Sequence, residues 1–300
     1  MMTVRIALTL SLLTVLLAGC AAVDLNAPIP VYETGIDPDS WALVPAGQFL
    51  SGRKAAPTLI EYDYEMMATN VTVSQYAAYL TEAVTGQRVT REGEAILGFY
   101  PGDVFREVKH EKEIAAGDWL HIQLDDPSVR LSWDGEKFIP TPGYENHPMT
   151  MVTWFGAKAY CDYYGWRLPS ALEWEKAARG TDGRPFPWGE EITREHTNYY
   201  ASRDPFEDMS SFGSRTSPVG FYNGQTYNGY ATHNNASPYG IYDLAGNVWE
   251  WVGDVYPGQH NRYMYGGSKD TYEMNLRAWV TNNATPVYYS PGVGFRCVRE

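Results

Sequence analysis

Hydrophobic and polar residues along this 300-residue chain fall into blocks that predict different local structures. The first block is solid apolar, Ile6 to Ala18, with one positive charge before it at Arg5. Spanning a bilayer takes about 20 apolar residues, so the run reads as the apolar core of an export signal. Residues 21–40 hold three prolines and no amphipathic period, which predicts a tether. From Trp41 to Gly52 short apolar stretches are broken by Pro and Gly, as in a strand and turn. Thr72 to Ala83 keeps helical spacing through Val73, Tyr76, Ala77 and Leu80, with a Thr or Ser cap at its start. Trp154 to Tyr164 predicts a second helix, ending before Gly165. Ser170 to Arg179 predicts a third: Ser170 and Glu173 form a capping box, and Gly180 follows as a stop.

Two stretches lack a period. Residues 180–238 read as loop, rich in Gly, Pro, Asn, Ser and Tyr; loops this long in a compact domain carry function or need an ion to order them. Residues 85–140 read as an irregular insertion or elaborated surface loop. They hold one hairpin, "VRLSWDGEKFIP", whose Asp134-Gly135 suits a type I′ turn. No repeat and no linker divides the chain after residue 41, so residues 1–19 read as signal, 20–40 as tether and 41–300 as one domain.

Charge and cysteine count narrow the function classes. A formal net charge of −13, with no Lys/Arg cluster, excludes a nucleic-acid binder. Hydrophobic residues at 44% and charged residues at 20% place the chain among globular proteins. The three cysteines, Cys20, Cys161 and Cys297, are too few for a disulfide-dense scaffold or a four-cysteine zinc site. Leu17-Ala18-Gly19-Cys20, at the end of the apolar run, resembles a bacterial lipobox. That resemblance implies cleavage before Cys20, lipidation of its thiol and an extracytoplasmic domain anchored to a membrane. Ala21, rather than Asp, after the cysteine favours the outer membrane.

Four further segments carry a family resemblance. "HPMTMVTWFGAKAYCDYYGWRLPSALEWEKAARG" (147–180), "GIYDLAGNVWEWVGDVY" (240–256), "YGGS" (265–268) and "GVGFRCVRE" (292–300) stand in the order of the formylglycine-generating-enzyme, or sulfatase-modifying-factor, superfamily. "VPAGQFLSG" and "ATNVTVSQYAAYL" resemble its N-terminal strand and helix. The resemblance covers nearly all of 41–300. It implies an α+β fold, an elaborated C-type-lectin-like domain with long loops and little regular secondary structure. The family's enzymes oxidise a client cysteine with two copper-binding cysteines placed after the Gly-Gly-Ser motif. Here those positions fall near Thr271 and Leu276, and residues 266–286 contain no cysteine. Neither a hydroxyl nor an alkyl group replaces a Cu(I) thiolate, so copper and formylglycine-generating activity are not expected.

The same resemblance implies a disulfide between Cys161 and Cys297, which export permits. It implies calcium held by Asp243 and Glu250 with the carbonyls of Gly246 and Val248, oxygen chemistry suited to a hard cation. A second, weaker set begins at Asn198 and Tyr199, with its later ligand near Ser211 or Asp208. The alternative for the first set is that Glu250 pairs with an arginine and Asp243 caps a turn. Arg167 and Arg296 are expected to pair with Glu173 or Glu250. Trp166, Trp174, Trp249 and Trp251 are expected in the core. The six histidines, none at close helical spacing, read as dispersed surface residues. The leading expectation is a lipid-anchored, non-catalytic module whose loops at 181–238 and 261–290 meet a protein, peptide or glycan. The rival is an extracytoplasmic iron-dependent oxidoreductase acting on a peptide or siderophore-like substrate.

Overall fold

The computed structural model describes residues 29–106, 111–207, 215–256 and 259–300. The segment expected to be an export signal, Cys20, His110, Asp208 and Ser211 lie outside the described residues.

The sheet that carries the site has four strands. Thr281–Ala284 forms one edge, next to Asn261–Tyr265, then Trp249–Tyr256, then Val293–Phe295. The first three run antiparallel to their neighbours, and the last lies parallel to Trp249–Tyr256, pairing Trp251 with Phe295. Trp249, Glu250, Trp251 and Val252 are buried in succession, while the far half of the strand reaches solvent. A continuous buried run marks a strand covered on both faces. A second sheet joins Trp41–Val44, Tyr64–Met67 and Val298–Arg299, bringing both ends of the domain together.

Three helices pack against these sheets. α1, Val73–Thr85, starts on a capping box in which Thr72 accepts the Gln75 N–H and Gln75 accepts the Thr72 N–H. It buries Val73, Tyr76, Ala77 and Leu80, and also Tyr79 and Ala83. α2, Trp154–Tyr163, is capped by Thr153. α3, Ala171–Arg179, has the Ser170–Glu173 box. α3 is buried from Glu173 to Arg179 although four of those seven residues are charged. Each charge has a partner. Lys176 Nζ donates to the carbonyls of Pro45 (2.5 Å) and Gly47 (3.1 Å). Arg179 pairs with Glu175 at 2.6 Å and donates to the carbonyls of Gly52, Gly183 and Arg184. Buried charges without such partners would cost several kcal/mol each, on the order of a domain's net stability.

The 85–140 segment is more regular than its sequence suggests. Thr90–Glu92, Ala95–Tyr100 and Gly117–Gln123 form a three-stranded antiparallel sheet. Aromatic contacts dock it on α2: Trp119 stacks on Phe155 at 4.8 Å, and Tyr100 meets Phe155 at 5.1 Å. The His121 ring lies on Gly98, where a Cβ would stand 2.3 Å from it. The hairpin pairs Leu131–Trp133 with Phe138–Pro140, but its turn is not type I′. Trp133 pairs with Phe138 across four residues, and only Gly135 among them has positive φ. The Asp134 carboxylate accepts the N–H groups of Glu136 and Lys137 instead.

Residues 29–40 are not a free tether. Tyr32 packs into the ring cluster of Phe206, Phe221 and Tyr227, and the Thr34 carbonyl accepts the side-chain amides of Asn223 and Gln225. Aromatic burial anchors this stretch where proline content alone suggested a spacer. Within 180–238, the described residues 180–207 and 215–238 are loop apart from the short hairpin of Thr226–Tyr227 with Tyr230–Ala231. Cys161 on α2 and Cys297 are joined by a disulfide, with Cα atoms 5.7 Å apart and a sequence separation of 136.

Candidate functional site

One cavity of about 420 Å³ opens beside the edge strand of the four-stranded sheet. Trp249 and Met264 line it from the sheet, Ser268, Asp270 and Thr271 from the following loop, and Asn282 to Ala284 from the edge strand. Tyr288, Ser290 and Gly292 close the remaining side. That side is pinned: the Pro286 carbonyl accepts the Trp154 N–H and the Ser290 carbonyl accepts the Met151 N–H. The loop owes its path to the Gly-Gly-Ser motif. Gly267 has φ +72°, and a Cβ there would lie 2.4 Å from Leu276 Cδ2.

The two positions near which the family's cysteines fall both meet this glycine: its Cβ would also lie 3.0 Å from Thr271 Oγ1. Thr271 lines the cavity, and its hydroxyl is bonded within the loop, accepting the Ser268 N–H at 2.9 Å and donating to the Ser268 carbonyl at 2.8 Å. Leu276 is fully buried with Phe186, Tyr199 and Ala245. Among the described residues the lining holds no thiol and no imidazole. Its one carboxylate, Asp270, is paired with Lys269 at 2.5 Å.

The residues expected to hold calcium do not offer it the expected carboxylate. Both Glu250 oxygens are engaged: Oε1 accepts from Asn70 Nδ2 (2.8 Å) and Arg296 Nη2 (2.7 Å). Oε2 accepts from Trp174 Nε1 (2.8 Å) and Arg296 Nε (2.8 Å). Four donors fill the four lone-pair sites of a carboxylate, so the arginine pairing weighed as the alternative is the one present. Asp243, at φ +59°, accepts the Gly220 N–H at 2.6 Å and the Asn235 amide at 3.1 Å. Burial pushes its carboxyl above the usual range. The Asn198 set differs. Asn198 is fully buried, its nitrogen donates to the Arg215 carbonyl at 2.8 Å, and its Oδ1 has no partner. A buried amide oxygen without a donor is costly and suits an oxygen-seeking cation. Tyr199 is buried beside it.

Arg167 grips Glu173 through both guanidinium ends at 2.7 Å, completing the N-terminus of α3. Trp174 and Trp251 are core, Trp249 is core and cavity wall together, and Trp166 is half-buried against Tyr164 and Trp41. The described histidines are not all at the surface. His121 and His147 are buried, and burial lowers them to about 4 and about 3. His260 lies between Asp103 (2.7 Å) and Glu111 (2.8 Å), and hydrogen bonds to these carboxylates raise its pKa. His196 and His233 meet at 4.5 Å between ring centroids. The cavity amides Asn282 and Asn283 were not foreseen from sequence; their one signal is a pair of poor strand formers inside a strand.

The chain matches a known family along most of its length. Residues 32–300 match the sulfatase-modifying factor enzyme 1-like domain. Inactive C-alpha-formylglycine-generating enzyme 2 of Mus musculus is 39% identical over 158 residues, covering 50% of this chain and 48% of that protein. The chain thus spans about half the length of that relative. Formylglycine-generating enzyme of Mus musculus is 30% identical over 327 aligned positions, covering 92% of this chain and 77% of that protein. Among solved structures, PvdO from Pseudomonas aeruginosa superposes with TM-score 0.56 at 20% identity, covering 91% of this chain and 99% of that one. The fold is accordingly the α+β, C-type-lectin-like one that the motifs imply, and the protein belongs to the sulfatase-modifying factor, or formylglycine-generating-enzyme, family.

Proposed function

We propose that this protein is a non-catalytic binding module of its family. The observation that carries the reading is the cavity lining, where hydroxyls, amides and aromatic rings stand without a thiol or imidazole. Copper oxidation of a client cysteine needs thiolate ligands, and the chain's two described cysteines are joined to each other. The similarity to a relative named inactive points the same way. An iron-dependent oxidoreductase would need a cluster of ligands. Among the described residues no group of three or more His, Cys, Asp or Glu is placed to hold a metal ion. A cavity of this size and mixed lining is suited to one segment of a protein, peptide or glycan.

In this reading the domain is anchored outside the cytoplasm by a lipid on Cys20, at the outer membrane of its host. Calcium belongs at Asn198, whose unpartnered Oδ1 would be one ligand and the Tyr199 carbonyl another. Bound there, the ion would neutralise an orphaned acceptor and stiffen the loops at 181–238. The test is metal analysis of the purified mature domain. Calcium without stoichiometric copper or iron supports the reading, and stoichiometric iron or copper overturns it. Replacing Cys20→Ala should move the protein from the membrane to the soluble extracytoplasmic fraction; continued membrane association refutes the anchor.

A further inference from the structure

Resting on the reading of the cavity as a binding site, we propose that its ligand is a neutral sugar unit of a glycan chain.

The polar groups are set for hydroxyls. Asn282 Oδ1 accepts the Asn283 N–H at 2.8 Å, and Asn283 Oδ1 accepts from Asn261 Nδ2 at 2.8 Å. Each amide oxygen thus accepts one bond, and among the described residues neither NH2 group has a protein acceptor, so both remain donors beside the cavity. Asp270 spends Oδ2 on Lys269 and keeps Oδ1 as an acceptor. Neighbouring hydroxyls on a sugar ring each donate once and accept twice, which is the complement of amide donors beside a carboxylate oxygen. The apolar groups suit the C–H face of the same ring. Tyr288 is 43% exposed on the cavity wall, and its turn is fixed by its own N–H to the Thr285 carbonyl at 2.9 Å. A rigid, half-exposed ring gives contact area at little entropic cost.

The lining also disfavours other ligand classes. Lys269, adjacent in sequence, is salt-bridged to Asp270, and among the described residues no lysine or arginine lines the cavity, so phosphate, sulfate and carboxylate ligands find no positive charge in the lining. A peptide adding as a strand to the edge Thr281–Ala284 would need that strand's free backbone donors. The Asn283 N–H is already taken by the Asn282 side chain. A second aromatic surface lies alongside: Tyr200 and Tyr272 are 57% and 58% exposed with ring centroids 4.8 Å apart. Tyr272 directly follows Thr271 of the lining, and the Tyr200 N–H donates to the Thr271 carbonyl at 3.1 Å. Rings beside the cavity as well as in it favour a chain of sugars over a single one.

The test is isothermal titration of the disulfide-intact domain with maltohexaose, cellohexaose, chitohexaose and mannohexaose. A heparin-derived hexasaccharide and a pool of random decapeptides serve as controls. Saturable binding of at least one neutral hexasaccharide is expected. Asn282→Ala and Asp270→Asn should each weaken it about tenfold, Tyr288→Ala should abolish it, and the distant Phe99→Ser should leave it unchanged. Because these side chains are exposed, an unchanged melting temperature will show that the variants fold. Failure of every neutral hexasaccharide to bind overturns the sugar proposal. Peptide binding that Tyr288→Ala removes keeps the cavity as a binding site but overturns the sugar. Binding of any probe that is indifferent to all three cavity substitutions overturns both.

Discussion

Replacing Arg296→Met isolates the buried pair at the centre of the fold. Arg296 is fully buried and Glu250 is 0% exposed. The guanidinium makes two bonds to Glu250, at 2.7 and 2.8 Å, and donates to the carbonyls of Met67 (3.2 Å) and Tyr242 (2.9 Å). Without it, the Glu250 carboxylate stays buried with only the neutral donors Asn70 and Trp174. Breaking a buried pair from one side costs about 3–5 kcal/mol, and the two abandoned carbonyls add about 1 kcal/mol. The expected loss is about 4–6 kcal/mol, a large share of the roughly 5–15 kcal/mol that holds a domain folded. Removing both charges as Glu250→Gln/Arg296→Met should cost about 3 kcal/mol less than the sum of the single variants, since neither charge is then stranded. Guanidinium unfolding of the oxidised domain, followed by tryptophan fluorescence, reads each value. A loss below about 1 kcal/mol for Arg296→Met, or additive single effects, would refute the pairing and return Glu250 to the role of metal ligand.

Three further predictions stand on other contacts. Reducing the Cys161–Cys297 bridge frees a 136-residue span, and the loop-entropy estimate is roughly 5 kcal/mol of lost stability; unchanged unfolding under reductant contradicts it. His121 and His147 are held neutral, with folded pKa values of about 4 and about 3 against an ordinary value near 6.5. The unfolded chain therefore binds more protons below that value. The stability these residues contribute is whole above it and drains as pH falls toward 3; substituting both by Gln should flatten the acid limb, and an unaltered limb refutes the assignment. Chelation should lower the melting temperature of the wild-type domain, and Asn198→Ala should remove that response. A response that survives Asn198→Ala places the ion elsewhere.

Local features were legible before the structure. Ser170 with Glu173, and Thr72 at the head of its amphipathic run, specify helix starts within a few residues of chain, and both are observed. The apolar spacing of Val73, Tyr76, Ala77 and Leu80 marks a face that is buried. Partnerships across the chain were not legible. Nothing local to α3 marks the acceptors of Lys176 and Arg179, which are carbonyls at Pro45, Gly47, Gly52 and Gly183. Glu250 is chemically equal to the task of a calcium ligand, and only the arrival of Arg296, Trp174 and Asn70 shows that its lone pairs are spent. Most of the cavity lining falls in the 261–290 stretch expected to meet a partner, but nothing local shows that Trp249 joins it. The strand Ala95–Tyr100 escaped notice because AILGFY is apolar at every position, so the alternation in its burial leaves no period-2 signal in the sequence.

The most direct test of a binding module without oxidase chemistry is to incubate the domain with a cysteine-containing sulfatase peptide, copper and oxygen and to assay the peptide for aldehyde by mass spectrometry. An unmodified cysteine is the predicted result, because Thr271 and Leu276 stand near the positions where copper thiolates would be needed. Conversion of that cysteine to formylglycine would contradict the account.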